Sequence, residues 1–223
     1  MNVITKSNLL GEDYQNEYID IVNKYENRAK YIEKDPKLIK VLWEKHISQY
    51  LKMLKNYNLN EELLESIIKN SNITFRKGFR EFIDFLHDNN IPLIILSSGL
   101  GNSIEIFLKN NKCYYDNIYV VSNFIEFNPN GSISKVPDTV ITPVNKCKVI
   151  LDDTIKFKTK DRKFKIVLGD IKDDSGMTEI YKEDKSLSVA FLNNLDLKSE
   201  LESAFDIVVK SDEEFKMLKR MLK

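Results

Sequence analysis

The sequence predicts an α/β protein in which a Rossmann-like parallel sheet carries a small helical cap domain. Up to about Ser71 the apolar residues recur three and four positions apart and glycine is almost absent, which is typical of helices. From Gly78 onward, apolar runs of β type alternate with helical stretches, and this alternation indicates a parallel sheet. We therefore expect a helical cap domain over residues 1–73 and an α/β core domain over residues 74–223.

The spacing of apolar residues places the individual elements. Three helices are predicted in the cap, at residues 14–30, 36–54 and 61–70, and Asn60 is a suitable N-cap for the third. Five strands are predicted in the core, at residues 91–96, 117–121, 164–168, 187–191 and 206–209. Helices are expected at 78–89, 102–111, 175–182 and 197–204, with a hairpin turn at 128–131. Ser211 and Glu214 form a capping-box pattern before a closing helix.

Composition narrows the class of protein. The chain has 223 residues, 42% of them hydrophobic, and 34 basic residues balance 34 acidic ones. No net field recruits nucleic acid or an anionic membrane, and we expect neither partner. The first residues show no basic segment followed by an apolar one, so we expect a cytoplasmic protein. Cys113 and Cys147 lack metal-site spacing and are expected to be small core residues.

Ligands of open parallel sheets bind beyond the carboxyl ends of the strands. Ser97, Ser98 and Gly99 follow the first core strand at the start of a helix, where hydroxyls and free amides suit an anionic oxygen. Asp170 and Asp174 follow the third core strand, and two carboxylates in one turn suit Mg²⁺. Each feature also has a plain structural explanation, since a Ser-Gly loop is often only a turn and an acidic cluster only a helix cap.

A lysine completes a recognisable order of motifs. Lys146 alone indicates nothing, but strand-Ser, then Lys, then strand-Gly-Asp-xxx-Asp resembles motifs two to four of the haloacid dehalogenase superfamily. The stretch FRKGFREFIDFLHDNNIPLIILSSGLGN resembles the pyrimidine 5'-nucleotidase family, the relatives of cytosolic 5'-nucleotidase type III. VSNFIEF, Asn145-Lys146, LGD, FLN and FDIVV follow in that family's order. The resemblance covers nearly the whole chain.

The resemblance implies a function and residue roles. It implies a nucleoside 5'-monophosphate as the substrate, with pyrimidine preference, and Mg²⁺ as the cofactor. Ser97 would hydrogen-bond the transferring phosphoryl group beside Ser98 and Gly99, Lys146 would stabilise its charge, and Asp170 with Asp174 would hold or orient Mg²⁺. The family reaction proceeds through an aspartyl-phosphate that water hydrolyses.

The cap of this family closes over the nucleotide and contacts its base. Four residues of the second predicted helix are candidates for base contacts: Tyr50, Trp43 and His46 by stacking, and Glu44 by hydrogen bonding. An aromatic residue at helical spacing is more often part of a core, so a structural role is the alternative for each of them.

The sequence departs from the family pattern at its beginning. The segment from Met1 to Thr5 resembles the tail of the DxDxT motif, which would place the nucleophilic aspartate upstream of residue 1. Three explanations are possible: a misplaced start, a truncated chain or a natural noncatalytic relative. We favour truncation. The alternatives to a nucleotidase are therefore a nucleotide- or phosphate-binding protein without activity, or a phosphatase for phosphoserine or a sugar phosphate.

Overall fold

The structure, a computed structural model, describes residues 3–32, 35–180, 185–210 and 214–222. Its α-helices are α1 Val3–Lys6, α2 Gly11–Ile32, α3 Pro36–Asn56, α4 Glu61–Lys69, α5 Phe79–Asp88, α6 Gly101–Asn110, α7 Asp153–Thr159, α8 Lys198–Glu202 and α9 Glu214–Met221. Its strands are β1 Leu93–Leu100, β2 Ile118–Asn123, β3 Glu126–Phe127, β4 Ile133–Lys135, β5 Phe164–Gly169, β6 Lys185–Leu192 and β7 Ile207–Lys210. None of the helices described over these ranges is both long enough and apolar enough to cross a membrane.

The chain divides into two compact units. The first contains the described residues of Met1–Ile73 together with Leu96–Tyr114 and Val120–Val144. The second contains the described residues of Thr74–Ile95, Tyr115–Tyr119 and Asn145–Lys223. The division into a cap of residues 1–73 and a core of residues 74–223 stays a prediction.

The first unit has a continuous hydrophobic core. It forms because the amphipathic helices α2, α3 and α4 each bury one apolar stripe, and its largest fully buried side chains include Tyr14, Leu51, Met53, Leu54, Leu59, Leu64 and Ile67. Asn60 caps α4 as predicted, with its Oδ1 accepting from the backbone N of Leu63 at 2.8 Å. The predicted hairpin is confirmed: β3 and β4 pair antiparallel, and Gly131 occupies the turn with a φ of 80°.

The second unit contains a three-stranded parallel sheet in the order β5-β6-β7. Gly169 at the end of β5 lies opposite Ala190 of β6, so the residues that follow both strands emerge at the same edge. Val189 and Ala190 are fully buried in the central strand. Phe215 of α9 contacts Phe191 with ring centroids 5.3 Å apart, which packs the last helix against the end of β6.

The predicted fold class is confirmed, since the described residues form a mixed α/β structure with parallel strands. The predicted strands are found within a few residues of their expected bounds, and β1 pairs with β2 in a sheet of their own. The Ser211 capping box lies outside the described residues.

Several predictions of local structure were wrong. The expected α-helix at 175–182 is a 3-10 helix, Lys172–Glu179, whose aspartates and glycine do not favour α-helical propagation; residues 181 and 182 lie outside the described ranges. The helix expected at 197–204 is present as the shorter α8, and a 3-10 turn, Leu195–Leu197, precedes it. Helix α7 was not predicted, although Asp152 caps it by accepting from Ile155 N at 2.9 Å. Cys113 is buried as expected, whereas Cys147 is only half-buried.

Candidate functional site

The predicted phosphate loop connects β1 directly to α6 in the first unit. β1 ends at Leu100 and α6 begins at Gly101, so the first amides of the helix follow the strand without a linker. The backbone N of Gly99 donates to Ser97 Oγ at 3.1 Å, and the hydroxyl of Ser122 donates to the Gly99 carbonyl at 2.9 Å. Ser97 and Ser98 are both half-buried. Amides at a helix N-terminus carry partial positive charge, which suits an anionic oxygen.

A buried asparagine fixes this loop. Asn123 is 2% exposed, and its Nδ2 donates to the carbonyls of Ser98 at 2.9 Å and Ile141 at 2.8 Å. Its Oδ1 accepts from the backbone N of Ile141 at 2.8 Å. At Gly101 a Cβ would lie 2.5 Å from the ring of Phe124, so any larger residue would require that ring to move. Sequence reasoning placed Asn123 in a family block without assigning it this role.

The predicted cation ligands lie together at the end of β5 in the second unit. The backbone N of Asp170 donates to Asp174 Oδ2 at 3.1 Å, which closes the turn between the two carboxylates. At Gly169 a Cβ would lie 2.3 Å from the Cβ of Asp174, so glycine is needed for the turn to fold back on the strand. Asp174 is 4% exposed, whereas Asp170 is exposed. The two carboxylates therefore lie in different environments within one turn.

Lys146 joins this group as an ion pair. It lies on a 3-10 helix, Pro143–Lys148, and its Nζ is 2.6 Å from Asp174 Oδ1, with the two side chains 11% and 6% exposed. Both oxygens of Asp174 thus accept hydrogen bonds, one from the ammonium of Lys146 and one from the backbone of Asp170. The structure brings Lys146, Asp170 and Asp174 together, and their roles in binding phosphate and metal stay predictions.

Two further residues contact this group that the sequence did not indicate as site residues. Asn193 directly follows β6, and its Nδ2 donates to Asp170 Oδ2 at 2.8 Å. The guanidinium of Arg76 donates to Asn193 Oδ1 at 2.6 Å. The position of Asn193 after a parallel strand is the same signal that identified Asp170, and it could have been used to find Asn193.

The donor set fits Mg²⁺. Carboxylate oxygens are the ligands that this ion prefers, and it commonly takes only one or two of them from the protein. Asp170 Oδ1 accepts no hydrogen bond among the described residues, whereas its Oδ2 is held by Asn193. Burial, and then the neighbouring Asp174, raise the pKa of Asp173. Over the described residues, no cluster of three or more His, Cys, Asp or Glu side chains forms a complete metal site.

The four residues proposed for base contacts lie on α3, and two of them contact one another. The ring of His46 stacks with the ring of Trp43, with centroids 5.4 Å apart, and with the ring of Tyr25 of α2, with centroids 4.9 Å apart. Burial in this stack lowers the pKa of His46, and the nearby Glu26 opposes the shift. The stack therefore favours a neutral imidazole between two aromatic rings.

The other two residues have different neighbours. The Oε1 of Glu44 lies 3.5 Å from the Nζ of Lys40. Glu44 also lines a groove of about 430 Å³ between α2 and α3, together with Tyr25 and Gln49. Tyr50 packs against the core of the first unit, with its ring edge-on to Tyr18 at 5.9 Å. The assignment of these residues to base contacts stays a prediction.

The segment compared with motif one is only partly described. Met1 and Asn2 lie outside the described residues, and Val3–Lys6 forms α1. Thr5 is fully buried, with its Oγ1 3.4 Å from the hydroxyl of Tyr14. Burial raises the pKa of Tyr14, so its hydroxyl stays protonated and able to share a hydrogen bond with Thr5.

The sequence model of the pyrimidine 5'-nucleotidase (UMPH-1) family matches residues 1–223. The chain belongs to this family. Its resemblance to the haloacid dehalogenase type of protein, inferred from the motifs, is thereby confirmed.

Individual relatives of this pyrimidine 5'-nucleotidase family member agree with the assignment. A 7-methylguanosine phosphate-specific 5'-nucleotidase of Gallus gallus is 27% identical over 124 residues, which are 54% of this chain and 43% of the chicken protein. The chain thus matches less than half of the length of that relative. The crystal structure of cytosolic 5'-nucleotidase IIIB bound to cytidine matches with a TM-score of 0.78 at 22% identity, over 99% of this chain and 77% of the other.

A more distant structure shares the fold. A phosphoserine phosphohydrolase-like protein from Francisella tularensis subsp. tularensis SCHU S4 matches with a TM-score of 0.54 at 17% identity. The match covers 85% of this chain and 89% of the other. At these identities the two solved structures support the α/β fold alone.

Proposed function

We propose that the protein hydrolyses nucleoside 5'-monophosphates to nucleoside and phosphate, with Mg²⁺ as its cofactor. The observation that carries the proposal is the family match over residues 1–223, in which the predicted Lys146, Asp170 and Asp174 form one hydrogen-bonded group. That group joins a buried cation to two carboxylates at the edge of a parallel sheet, where ligands of such sheets bind.

The residues of this chain would bind and neutralise the phosphate. The resemblance implies that Ser97 Oγ and the amides at the start of α6 would donate hydrogen bonds to phosphoryl oxygens. The ammonium of Lys146 offsets negative charge that develops on the phosphoryl group. Asp170 would hold Mg²⁺ and Asp174, whose oxygens accept from Lys146 and from the backbone of Asp170, would orient the group. The ion when bound would supply electrostatic stabilisation of phosphoryl oxygens.

The base preference has two candidates. The family description favours pyrimidines, and one matched structure contains cytidine. The chicken relative is instead specific for 7-methylguanosine phosphate, a base with a cationic ring that aromatic faces attract. Trp43 is an aromatic candidate for that contact, while Glu44 is a candidate acceptor for the amino group of cytosine or of 7-methylguanine.

Phosphate release from a substrate panel tests the proposal. The panel contains CMP, UMP, AMP, 7-methylguanosine 5'-monophosphate and phosphoserine, and each is incubated with the 223-residue chain and with a chain extended upstream in frame. We expect hydrolysis of nucleotides and none of phosphoserine, with kcat/KM separating the two candidate bases. Hydrolysis of phosphoserine alone would identify a different phosphatase. Nucleotide binding without hydrolysis in both chains would contradict the proposal and indicate a noncatalytic binding protein.

A further inference from the structure

Asp170 is held by a hydrogen-bond network that begins far away in the sequence. Arg76 donates to Asn193 Oδ1 at 2.6 Å, and Asn193 Nδ2 donates to Asp170 Oδ2 at 2.8 Å. All three residues belong to the second unit. We call these residues the Arg76–Asn193–Asp170 network.

Arg76 and Asp170 together determine which way the amide of Asn193 points. A guanidinium can only donate hydrogen bonds, so the side chain of Asn193 must turn its Oδ1 toward Arg76. Its Nδ2 then faces Asp170 and donates to the carboxylate. Without Arg76 the Oδ1 of Asn193 loses its donor, and the contact with Asp170 alone holds the amide, which leaves the carboxylate less firmly positioned.

Arg76 is itself held in place by packing. Its guanidinium lies 4.8 Å from the centroid of the Phe191 ring, in a cation–π contact. Phe191 in turn packs against Phe215 of α9, and it lies near the end of β6, the strand that Asn193 directly follows. The carbonyl of Arg76 accepts from the backbone N of Phe79 at 3.0 Å, which fixes the turn before α5. The donor that orients Asn193 is thus supported by a strand, a turn and a helix.

We infer that Asn193 and Arg76 are positioning residues that hold the carboxylate of Asp170 for a divalent cation. This inference rests on the proposed function for the identity of the cation. Asn193 donates a hydrogen bond to Oδ2 of Asp170 and thereby fixes the orientation of the carboxylate. Oδ1 accepts no hydrogen bond from the described residues and is the oxygen that would bind the cation. Partners that hydrogen-bond to a metal ligand typically contribute about 10- to 100-fold to metal affinity.

Metal binding in the absence of nucleotide tests the inference. Free Mn²⁺ is measured by electron paramagnetic resonance during titration of the protein with MnCl₂, and MgCl₂ is then added as a competitor. The variants are Asn193→Ala, Arg76→Met, both together, and Asp170→Asn. Arg162→Met is the matched control, because that guanidinium donates to the carbonyl of Asn90 at 2.6 Å, a bond outside the Arg76–Asn193–Asp170 network.

We expect Asn193→Ala and Arg76→Met each to weaken Mn²⁺ binding by about 10- to 100-fold. The double variant should be no weaker than the weaker single variant, since both residues act through one contact, and Arg162→Met should bind as the unchanged protein does. The side chain of Asn193 is exposed, so Asn193→Ala should fold with an unchanged urea midpoint and keeps the test valid if Arg76→Met does not fold.

Unchanged affinity in Asn193→Ala, or losses that multiply in the double variant, would overturn the inference. So would the absence of Mn²⁺ binding that depends on Asp170. Metal binding through this network in a protein that hydrolyses no nucleotide would leave the inference standing and remove the proposed function. Hydrolysis of nucleotides by a protein whose metal affinity none of these variants changes would support the proposed function and overturn the inference.

Discussion

The buried ion pair between Lys146 and Asp174 supports a quantitative prediction. Its atoms are 2.6 Å apart, and the two side chains are 11% and 6% exposed. Coulomb's law with an effective dielectric constant of about 20 gives a gross attraction of about 6 kcal/mol at this distance. Desolvation of the two ions offsets several kcal/mol of that attraction. The pair therefore adds little net stability, whereas either charge left alone in this position is costly.

Replacing one partner should destabilise the protein strongly. Lys146→Met and Asp174→Asn should each lower the free energy of unfolding by about 3–5 kcal/mol, because each leaves one buried charge without its partner. Asn at position 174 retains an acceptor for the backbone N of Asp170, so this variant mainly reports the lost charge. The double variant should recover part of the loss, with a coupling energy of about 2 kcal/mol or more.

Urea unfolding followed by circular dichroism measures the four proteins of this cycle. The matched control is the exposed pair of Lys156 and Asp153, whose atoms are 3.1 Å apart with side chains 44% and 99% exposed. The same substitutions there should give a coupling energy below about 1 kcal/mol. Single variants that each cost less than about 1 kcal/mol, or a double variant equal to their sum, would refute the reasoning about burial.

Three further predictions concern other contacts. As the pH falls below 6.5, stability contributed by His46 should be lost, because the folded pKa lies below that value; the urea midpoint of His46→Phe should fall less over this range. Asp206→Ala should lower the free energy of unfolding by about 1–3 kcal/mol, because Ser188 N and Oγ lose the acceptor that they reach at 2.8 and 2.7 Å. Gly169→Ala should lower it by about 1–3 kcal/mol and weaken Mn²⁺ binding, since the added Cβ would collide with Asp174; an unchanged urea midpoint in either of the last two variants would contradict the prediction.

Much of the fold followed from local patterns. Asn60 was identified as a cap because an amide side chain and two acidic residues precede an apolar stripe, and all the information lies within one turn. The strands were identified by runs of apolar residues, and their alternation with helices gave the parallel arrangement. The 3-10 helix Lys172–Glu179 was predicted as an α-helix, because the prediction gave too little weight to aspartates and a glycine that do not favour α-helical propagation.

Some residues of the candidate site could likewise be predicted from the order of elements, whereas others depend on tertiary contacts. Asp170 and Asp174 were predicted because ligands collect at the ends of parallel strands, a rule that needs only the order of elements. The role of Arg76 could not be predicted from local sequence, because its contact with Asn193 joins residues 117 positions apart. The role of Asn123 also depends on tertiary contacts, since its side chain bonds to the backbone of residues in two other segments.

The central claim is that Asp170 holds the cation of a nucleotidase, and one comparison tests it most directly. Release of phosphate from CMP and from 7-methylguanosine 5'-monophosphate is measured against MgCl₂ concentration, with Asp170→Asn beside Asp153→Asn, a control for removal of an exposed carboxylate. The measurement uses whichever form of the protein is active. We expect Mg²⁺-dependent release that Asp153→Asn retains and Asp170→Asn loses; release that is independent of Mg²⁺, or equal in both variants, would contradict the claim.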